Sequence, residues 1–414
     1  MHFDVAIAGA GPAGLSLARA LAGLDLRIAL IERLPAAQLA DPPFDGREIA
    51  LTQLSARLMR ELGQWQQIAP DGISPLRRAR VLNGPSPFAM VVEPDARHDE
   101  LGFLVPNHLI RRAAFAVVKD MPEVTLLDGR SVRHIRTDAD KATLTLDNGD
   151  TITAQLAIAA DSRFSETRRA MGIAADMRDF GRTMMVYRMD LERPHENTAW
   201  EWFGYGQTLA LLPLAGQRAS VVLTLPHHQI EALLALDDEA FNLDMARRFD
   251  HRLGAMRLVS TRHPYPLVAV YAERFAARRF ACVGDAAVGM HPVTAHGFNF
   301  GLRGAWTLGR EIAAARHRSA DFAAGAVLEP WAQEHRIATR PLYLATNAIA
   351  RLYCDDSAPA RLVRNLALRS GQQLAPIRHA LTAAVSGASE RPPLLSRVAG
   401  TALAALRPRH RESA

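Results

Sequence analysis

The chain opens with Phe3-Asp4-Val5-Ala6-Ile7-Ala8-Gly9-Ala10-Gly11-Pro12-Ala13-Gly14. It runs on through Leu15-Ser16-Leu17-Ala18-Arg19-Ala20-Leu21 to Arg27-Ile28-Ala29-Leu30-Ile31-Glu32-Arg33. Apart from Asp4, the first six of these residues are apolar and partly β-branched, which predicts a buried parallel strand. Glycines follow at once in the order G-x-G-x-x-G, then a helical pattern, then a second apolar strand ending in an acid. A complete βαβ unit thus closes within about thirty residues.

Each glycine has a physical task in such a unit. Gly9 permits the tight turn, Gly11 lets the backbone approach a pyrophosphate, and Gly14 packs helix on strand. The diphosphate then meets the free N–H groups and positive dipole end of the helix. Glu32, eighteen residues past Gly14, can accept both ribose hydroxyls. An acid there repels a 2′-phosphate, so the adenosine belongs to FAD or NAD and not NADP. A chance glycine turn would lack the two flanking strands and the terminal Glu.

With 414 residues the chain has room for two or three domains at about 150 residues each. Its apolar fraction of 49% and charged fraction of 22% are those of a globular protein. No uncharged apolar run reaches the ~18 residues that span a bilayer. The first strand starts too early for a signal peptide, and Cys282 and Cys354 form no metal or redox spacing. A reducing cytoplasm is the expected compartment. The net charge of +6 rests almost wholly on scattered arginines, Lys119 and Lys141 being the only lysines. No basic patch interleaved with aromatics is present, which argues against nucleic acid.

A Pro- and Asp-rich loop over 35–46 leads to Arg47 and a helix from about Gln53 to Leu62. Arg47, at the entry to that helix, can clamp phosphate or stand solvated on the surface. Short alternating runs over 80–82 and 88–92 predict antiparallel strands, and a helix runs from about 106 to 119. Hairpin-like strands follow at 124–127, 132–136 and 143–146, with a turn at Asp147-Asn148-Gly149-Asp150. A buried strand over 156–160 ends in Asp161. Residues 180–275 again read as antiparallel strands followed by a helix over about 229–253. A strand at 280–283 enters Gly284-Asp285. From Gly297 the pattern is helical to the C-terminus, with breaks expected near Pro330, Pro341, Pro359, Pro376 and Pro392.

Three separated segments now carry a resemblance: Gly9 to Gly14; Asp161-Ser162-Arg163-Phe164-Ser165 with Arg168; and Gly284-Asp285-Ala286-Ala287 through His291-Pro292 to Gly297-Phe298-Asn299-Phe300-Gly301-Leu302. Together they resemble the class A FAD aromatic hydroxylases, and most closely their ubiquinone-biosynthesis group, over roughly residues 1–340. The resemblance implies an α/β fold like that of para-hydroxybenzoate hydroxylase, with a Rossmann-type FAD-binding domain, an inserted antiparallel β-sheet substrate domain and C-terminal helices. The expected division is 1–72, 104–172 and 276–340 for the FAD-binding domain, 73–103 and 173–275 for the substrate domain, and 341–414 for the helical region.

The same resemblance implies cofactor contacts from Gly9, Gly11, Pro12, Ala13, Gly14, Glu32 and Arg33, and from Arg47, Arg111 and Asp161. The third segment adds Gly284, Asp285, Gly297, Phe298 and Asn299. Asp285, at a strand end, can accept from the ribitol hydroxyls, or merely cap a helix. The loop from His291 to Gly297 leads into a helix whose N–H groups can face the flavin pyrimidine edge. The Asp161 segment implies contact with FAD and a passing nicotinamide, against a plain helix cap. Pro292 and His296 are the catalytic candidates. His296 stands where the family usually has Gln, Ala295 where it has Gly, Val288 where it has His and Ser162 where it has Gly.

The implied reaction is ring hydroxylation by FAD with NADH or NADPH and O2, through a C4a-hydroperoxyflavin that must be shielded from water. No second G-x-G-x-x-G exists, so the reductant is expected to bind transiently. A polyprenylated phenol or quinol of ubiquinone biosynthesis is the expected substrate. A small soluble phenol, or a non-catalytic FAD-stabilised subunit of a quinone-biosynthesis assembly, are the alternatives. Trp200-Glu201-Trp202-Phe203 resembles the flavin-halogenase motif W-x-W-x-I-P but lacks its Ile-Pro, which leaves packing as the reading of its tryptophans. The tail from 360 to 410 alternates arginines with leucines and has Glu390 as its one acid. That pattern suits either packing or peripheral contact with the inner membrane.

Overall fold

A computed structural model describes residues 1–373, apart from 87, 95, 97 and 356. The opening βαβ unit forms as His2–Ala8, Pro12–Ala20 and Ile28–Glu32. Val5, Ile7, Leu17 and Ile28 have no exposed surface, as expected where helices cover a parallel sheet. The parallel strands lie in the order Phe280–Cys282, Thr151–Ala159, His2–Ala8, Ile28–Glu32, Val124–Asp128. Val5 pairs with Ile28 on one side and Leu156 on the other. The chain therefore leaves His2–Ala8 towards one sheet edge and later returns on its other side, which opens a crevice at the carboxyl end of that strand.

A second sheet has nine strands and is antiparallel except for one pair. Its backbone is the seventeen-residue strand Ala175–Leu191, flanked by His263–Ala272 and Arg218–Pro226. Beyond Arg218–Pro226 come Thr208–Pro213, Thr198–Phe203, Arg78–Asn83 and Ala89–Val92. One face buries Met185, Tyr187, Leu209, Leu223 and Trp202 against Phe241, Met245 and Phe249 of the following helical segment. The other face meets a small sheet of Glu48–Thr52, Gly102–Pro106 and Ser74–Leu76.

Several expectations are corrected. Val124–Asp128 is no hairpin arm but the edge of the parallel sheet, paired with Ile28–Glu32. Arg47 precedes the strand Glu48–Thr52, and the helix begins only at Gln53. The helix expected over about 229–253 is two, His227–Leu234 and Asp238–Arg248, because the Asp237 carboxylate accepts from Ala240 N at 2.8 Å and starts a new one. Pro330 and Pro341 do not break their helix, which runs from Gly325 to Cys354. Each proline costs about 3 kcal/mol in a helix interior, but this helix is held by burial against Gly297–His317. Trp331 Nε1 donates to Gly304 O at 3.2 Å and to Thr307 Oγ1 at 3.1 Å, and the His335 ring sits against Gly304.

Of the arginine-rich tail, residues 374–414 lie outside the described residues. In the helix Ala358–Gln373, Arg364 is fully buried and Arg361 lies 3.8 Å from the Tyr205 ring centre, while Leu362, Val363 and Leu366 are exposed.

Candidate active site

The three segments singled out in the sequence touch one another pairwise. A Cβ on Gly9, which has φ +108°, would lie 2.4 Å from Ala160 O and 2.8 Å from Asp161 Cα. One on Gly14 would lie 2.0 Å from Gly9 O, so only glycine allows this turn to close. A Cβ on Gly284 would meet Ala13 Cβ at 2.7 Å, so the strand-end loop of Asp285 packs directly on the first helix. Arg163 ties the remaining pair: its Nη2 reaches Asp285 Oδ2 at 3.3 Å while Nη1 donates to Val268 O. Arg168, fully buried, donates to Ala286 O at 2.9 Å.

Open space lies where a dinucleotide would need it. Gly11 and Gly297, unlike the glycines above, have nothing within 4 Å of a built Cβ. Both stand at helix N-termini, of Pro12–Ala20 and Gly297–His317, and neither helix has a side-chain cap. Their first N–H groups are thus available to an anion. The Glu32 carboxylate is held by backbone donors, Ala10 N at 2.8 Å and Leu34 N at 2.9 Å, and keeps lone pairs for hydroxyls. Asp285 remains partly exposed beside Arg163. These donors and acceptors fit the diphosphate, ribose and ribitol of FAD. Two surface depressions, of about 560 and 330 Å³, lie instead at the far end of the first helix around Arg19.

The remaining candidates divide. Asn299 is buried and fastens the loop: its Nδ2 donates to Ala50 O and Ala295 O, and its Oδ1 accepts from Thr52 N. His296 is buried, with Nδ1 directed at Thr294 O and its ring tilted against Phe300. Pro292 is exposed and starts a short turn that ends with Ala295 in the left-handed region, φ +54°. The Phe298 side chain is half-buried and packs against the hydrophobic cluster that holds Leu302. Asp161 accepts from Ser165 Oγ at 2.5 Å and Thr167 N at 3.1 Å, and Ser165 in turn caps the helix Glu166–Ala170. Arg33 is exposed beside Glu32.

Arg47 and Arg111 belong to a second group, around Tyr265. Arg47 is paired with Asp45 at 2.6 Å and lies 5.4 Å from the Tyr265 ring centre, and the charge of Arg111 is also felt by that phenol. Asp45 accepts from Asn107 Nδ2 at 2.7 Å. Burial opposes the Asp45 charge, but Arg47 and these hydrogen bonds outweigh it and hold the carboxyl below its ordinary range. Next along, buried Glu48 is bonded to Arg188 of the long strand, and Arg188 also covers Phe44. Burial outweighs Arg188 and pushes Glu48 up to about 7. His291, edge-on to Phe180, is lowered to about 4 by burial and stays neutral.

Sequence reading placed Arg163 in the second segment without giving it a role, and missed Asp45, Asn107, Tyr265 and the Glu48–Arg188 pair as parts of this region.

Comparison with known proteins agrees with this geometry. Residues 2–324 match the FAD binding domain family. The chain is 44% identical to ubiquinone hydroxylase UbiM of Neisseria meningitidis, over 94% of this chain and 85% of that one. It is 33% identical to ubiquinone hydroxylase UbiL of Rhodospirillum rubrum, over 91% and 87%. Among solved structures, p-nitrophenol 4-monooxygenase PnpA of Pseudomonas putida shares the fold, with a TM-score of 0.75 at 16% identity, covering 94% of this chain and 99% of that one. The chain belongs to the FAD binding domain family and is an FAD-dependent aromatic monooxygenase.

Proposed function

We propose that the protein hydroxylates the aromatic ring of a polyprenylated phenol or quinol intermediate of ubiquinone biosynthesis, with NADH or NADPH as reductant and O2 as oxidant. The observation that carries this reading is the 44% identity to a ubiquinone hydroxylase along 94% of the chain. FAD, when bound, supplies the redox chemistry that activates O2. The chain's own residues do the rest. The uncapped N-terminus at Gly11 holds the diphosphate, Glu32 the ribose hydroxyls, and Asp285, fixed by Arg163, the ribitol. The uncapped N-terminus at Gly297 favours negative charge on the flavin ring. Asn299 keeps that loop against Glu48–Thr52, which excludes water from the ring's surroundings.

A strain lacking the gene should accumulate a quinone precursor short of one ring oxygen, identified by mass, and should recover on return of the gene. The purified protein should oxidise NADH or NADPH faster with a prenylated phenol present and form hydroxylated product. Unchanged ubiquinone in the deletion strain would count against the assignment. We further propose that the protein works peripherally at the inner membrane, where such a substrate dissolves. Among the described residues no helix is long and apolar enough to cross a membrane, but the arginine- and leucine-rich tail suits surface contact.

A further inference from the structure

Glu201 lies between two tryptophans in Thr198–Phe203. Trp202 packs on the helix-covered face of the large sheet, its Nε1 donating to Gly84 O at 2.9 Å. Alternation along the strand therefore turns Glu201 to the opposite face. There it is in register with Val81 on one side and Ala210 on the other, and the row continues through Val222. Ala199, two residues back on the same face, belongs to the hydrophobic cluster that also takes in Val81 and, from the small sheet, Ala50 and Leu104. Ala50 is also the residue whose carbonyl Asn299 holds. The strand Glu48–Thr52 thus shares a hydrophobic cluster with the face of Glu201 and is bonded through Asn299 to the loop that ends at Ala295.

The surroundings of Glu201 are one-sided. Glu201 is half-buried, and the protein packed on one side of its carboxyl is enough to raise it, so the group opens onto a partly enclosed space. Among the described residues no hydrogen bond or ion pair engages its carboxyl. Its sheet neighbours are apolar, and Arg188 on the same face is committed to Glu48. A buried carboxyl without a partner is costly unless something occupying the space completes it.

We propose that Glu201 recognises the ring hydroxyl of an uncharged phenol or quinol substrate, as the polar group in an otherwise apolar wall. This rests on the reaction assigned above and adds the group that reads the substrate. Burial with no opposing charge pushes the carboxyl up to about 8, so near neutrality it is an uncharged acid. Such a group accepts from a ring O–H through its carbonyl oxygen and donates its own O–H to a ring oxygen. Above its pKa only acceptance remains.

The test uses the flavin-loaded protein and equilibrium dialysis with three probes: 2-prenylphenol, prenylbenzene and 2-prenylanisole. Glu201→Leu should weaken 2-prenylphenol about tenfold and leave prenylbenzene within about twofold. Wild-type affinity for the anisole, which can only accept, should fall from pH 7 to 9, while Glu201→Gln should bind it with no such fall. Equal loss for phenol and benzene in Glu201→Leu, or no loss for either, overturns the assignment. If Glu201→Leu proves unfolded, the anisole pH series in wild type and Glu201→Gln decides alone. Wild-type protein that binds neither phenol nor benzene removes the substrate reading itself, and the role of Glu201 with it.

Discussion

At the scale of single residues, Glu32 and Asp285 make the sharpest claims. Glu32 ends the strand Ile28–Glu32 and Asp285 stands in the turn after Phe280–Cys282, and each is steadied by the protein, Glu32 by two backbone amides and Asp285 by Arg163. Hydrogen bonds to a charged group contribute about 1.5–3 kcal/mol, so Glu32→Ala and Asp285→Ala should each weaken flavin binding at least ~10-fold. Flavin absorbance of the purified variants measures this, and full occupancy in both would remove them from the site. His296 is a different case. Its ring is oriented by Thr294 O, in the loop that enters the helix at Gly297. His296→Ala should lower the hydroxylation obtained per NAD(P)H consumed more than it lowers flavin affinity. Unchanged coupling would leave His296 as a loop brace. Glu32 was legible because G-x-G-x-x-G fixes its distance by local chain geometry. Glu201 was not, since its setting depends on Val81, more than a hundred residues away.

At the scale of elements, the strand Glu48–Thr52 joins two parts of the molecule. Its far end is bound to Asn299, and its first residue to Arg188 of Ala175–Leu191. Glu48 is raised to about 7, chiefly by burial, against the pull of Arg188. A raised carboxyl binds more protons folded than unfolded, so its share of stability is present below the ordinary carboxylate range and is lost as pH rises towards 7. Arg188→Leu removes the charge that limits this loss. Breaking such a pair costs about 3 kcal/mol when the survivor stays charged. The variant should therefore melt close to wild type at pH 5 and well below it at pH 8. A constant gap at all pH values would show that packing, not the carboxyl, sets the difference. The same elements show what sequence pattern conveys. Period-two runs announced the strands, because alternation is local, but not that Arg78–Asn83 lies parallel to Thr198–Phe203 or that Val124–Asp128 joins the parallel sheet. Pro330 and Pro341 misled for the converse reason, as tertiary burial of Trp331 and His335 overrides the local break.

At the scale of the whole molecule, the proposed prenylated substrate would dissolve in a bilayer, and that proposal needs a part of the chain that meets a membrane surface. The described end of the chain offers one feature: Leu362, Val363 and Leu366 are 61%, 50% and 56% exposed on Ala358–Gln373, while Arg364 is turned inward. Beyond it, the sequence continues with Arg378, Arg391, Arg397, Arg407 and Arg409 among leucines. Each arginine near anionic lipid adds about 1 kcal/mol of attraction, screened by salt, and exposed leucines add apolar burial at the interface. The full chain should therefore sediment with anionic vesicles at low salt, less at high salt, and poorly with neutral vesicles. Removing residues from Pro392 onward should weaken sedimentation and leave flavin content unchanged, because the residues assigned to the cofactor end at Asn299. Leu362→Ser with Leu366→Ser should weaken the part that resists salt. Sedimentation with neither vesicle, or equally with both, would reduce this end of the chain to packing.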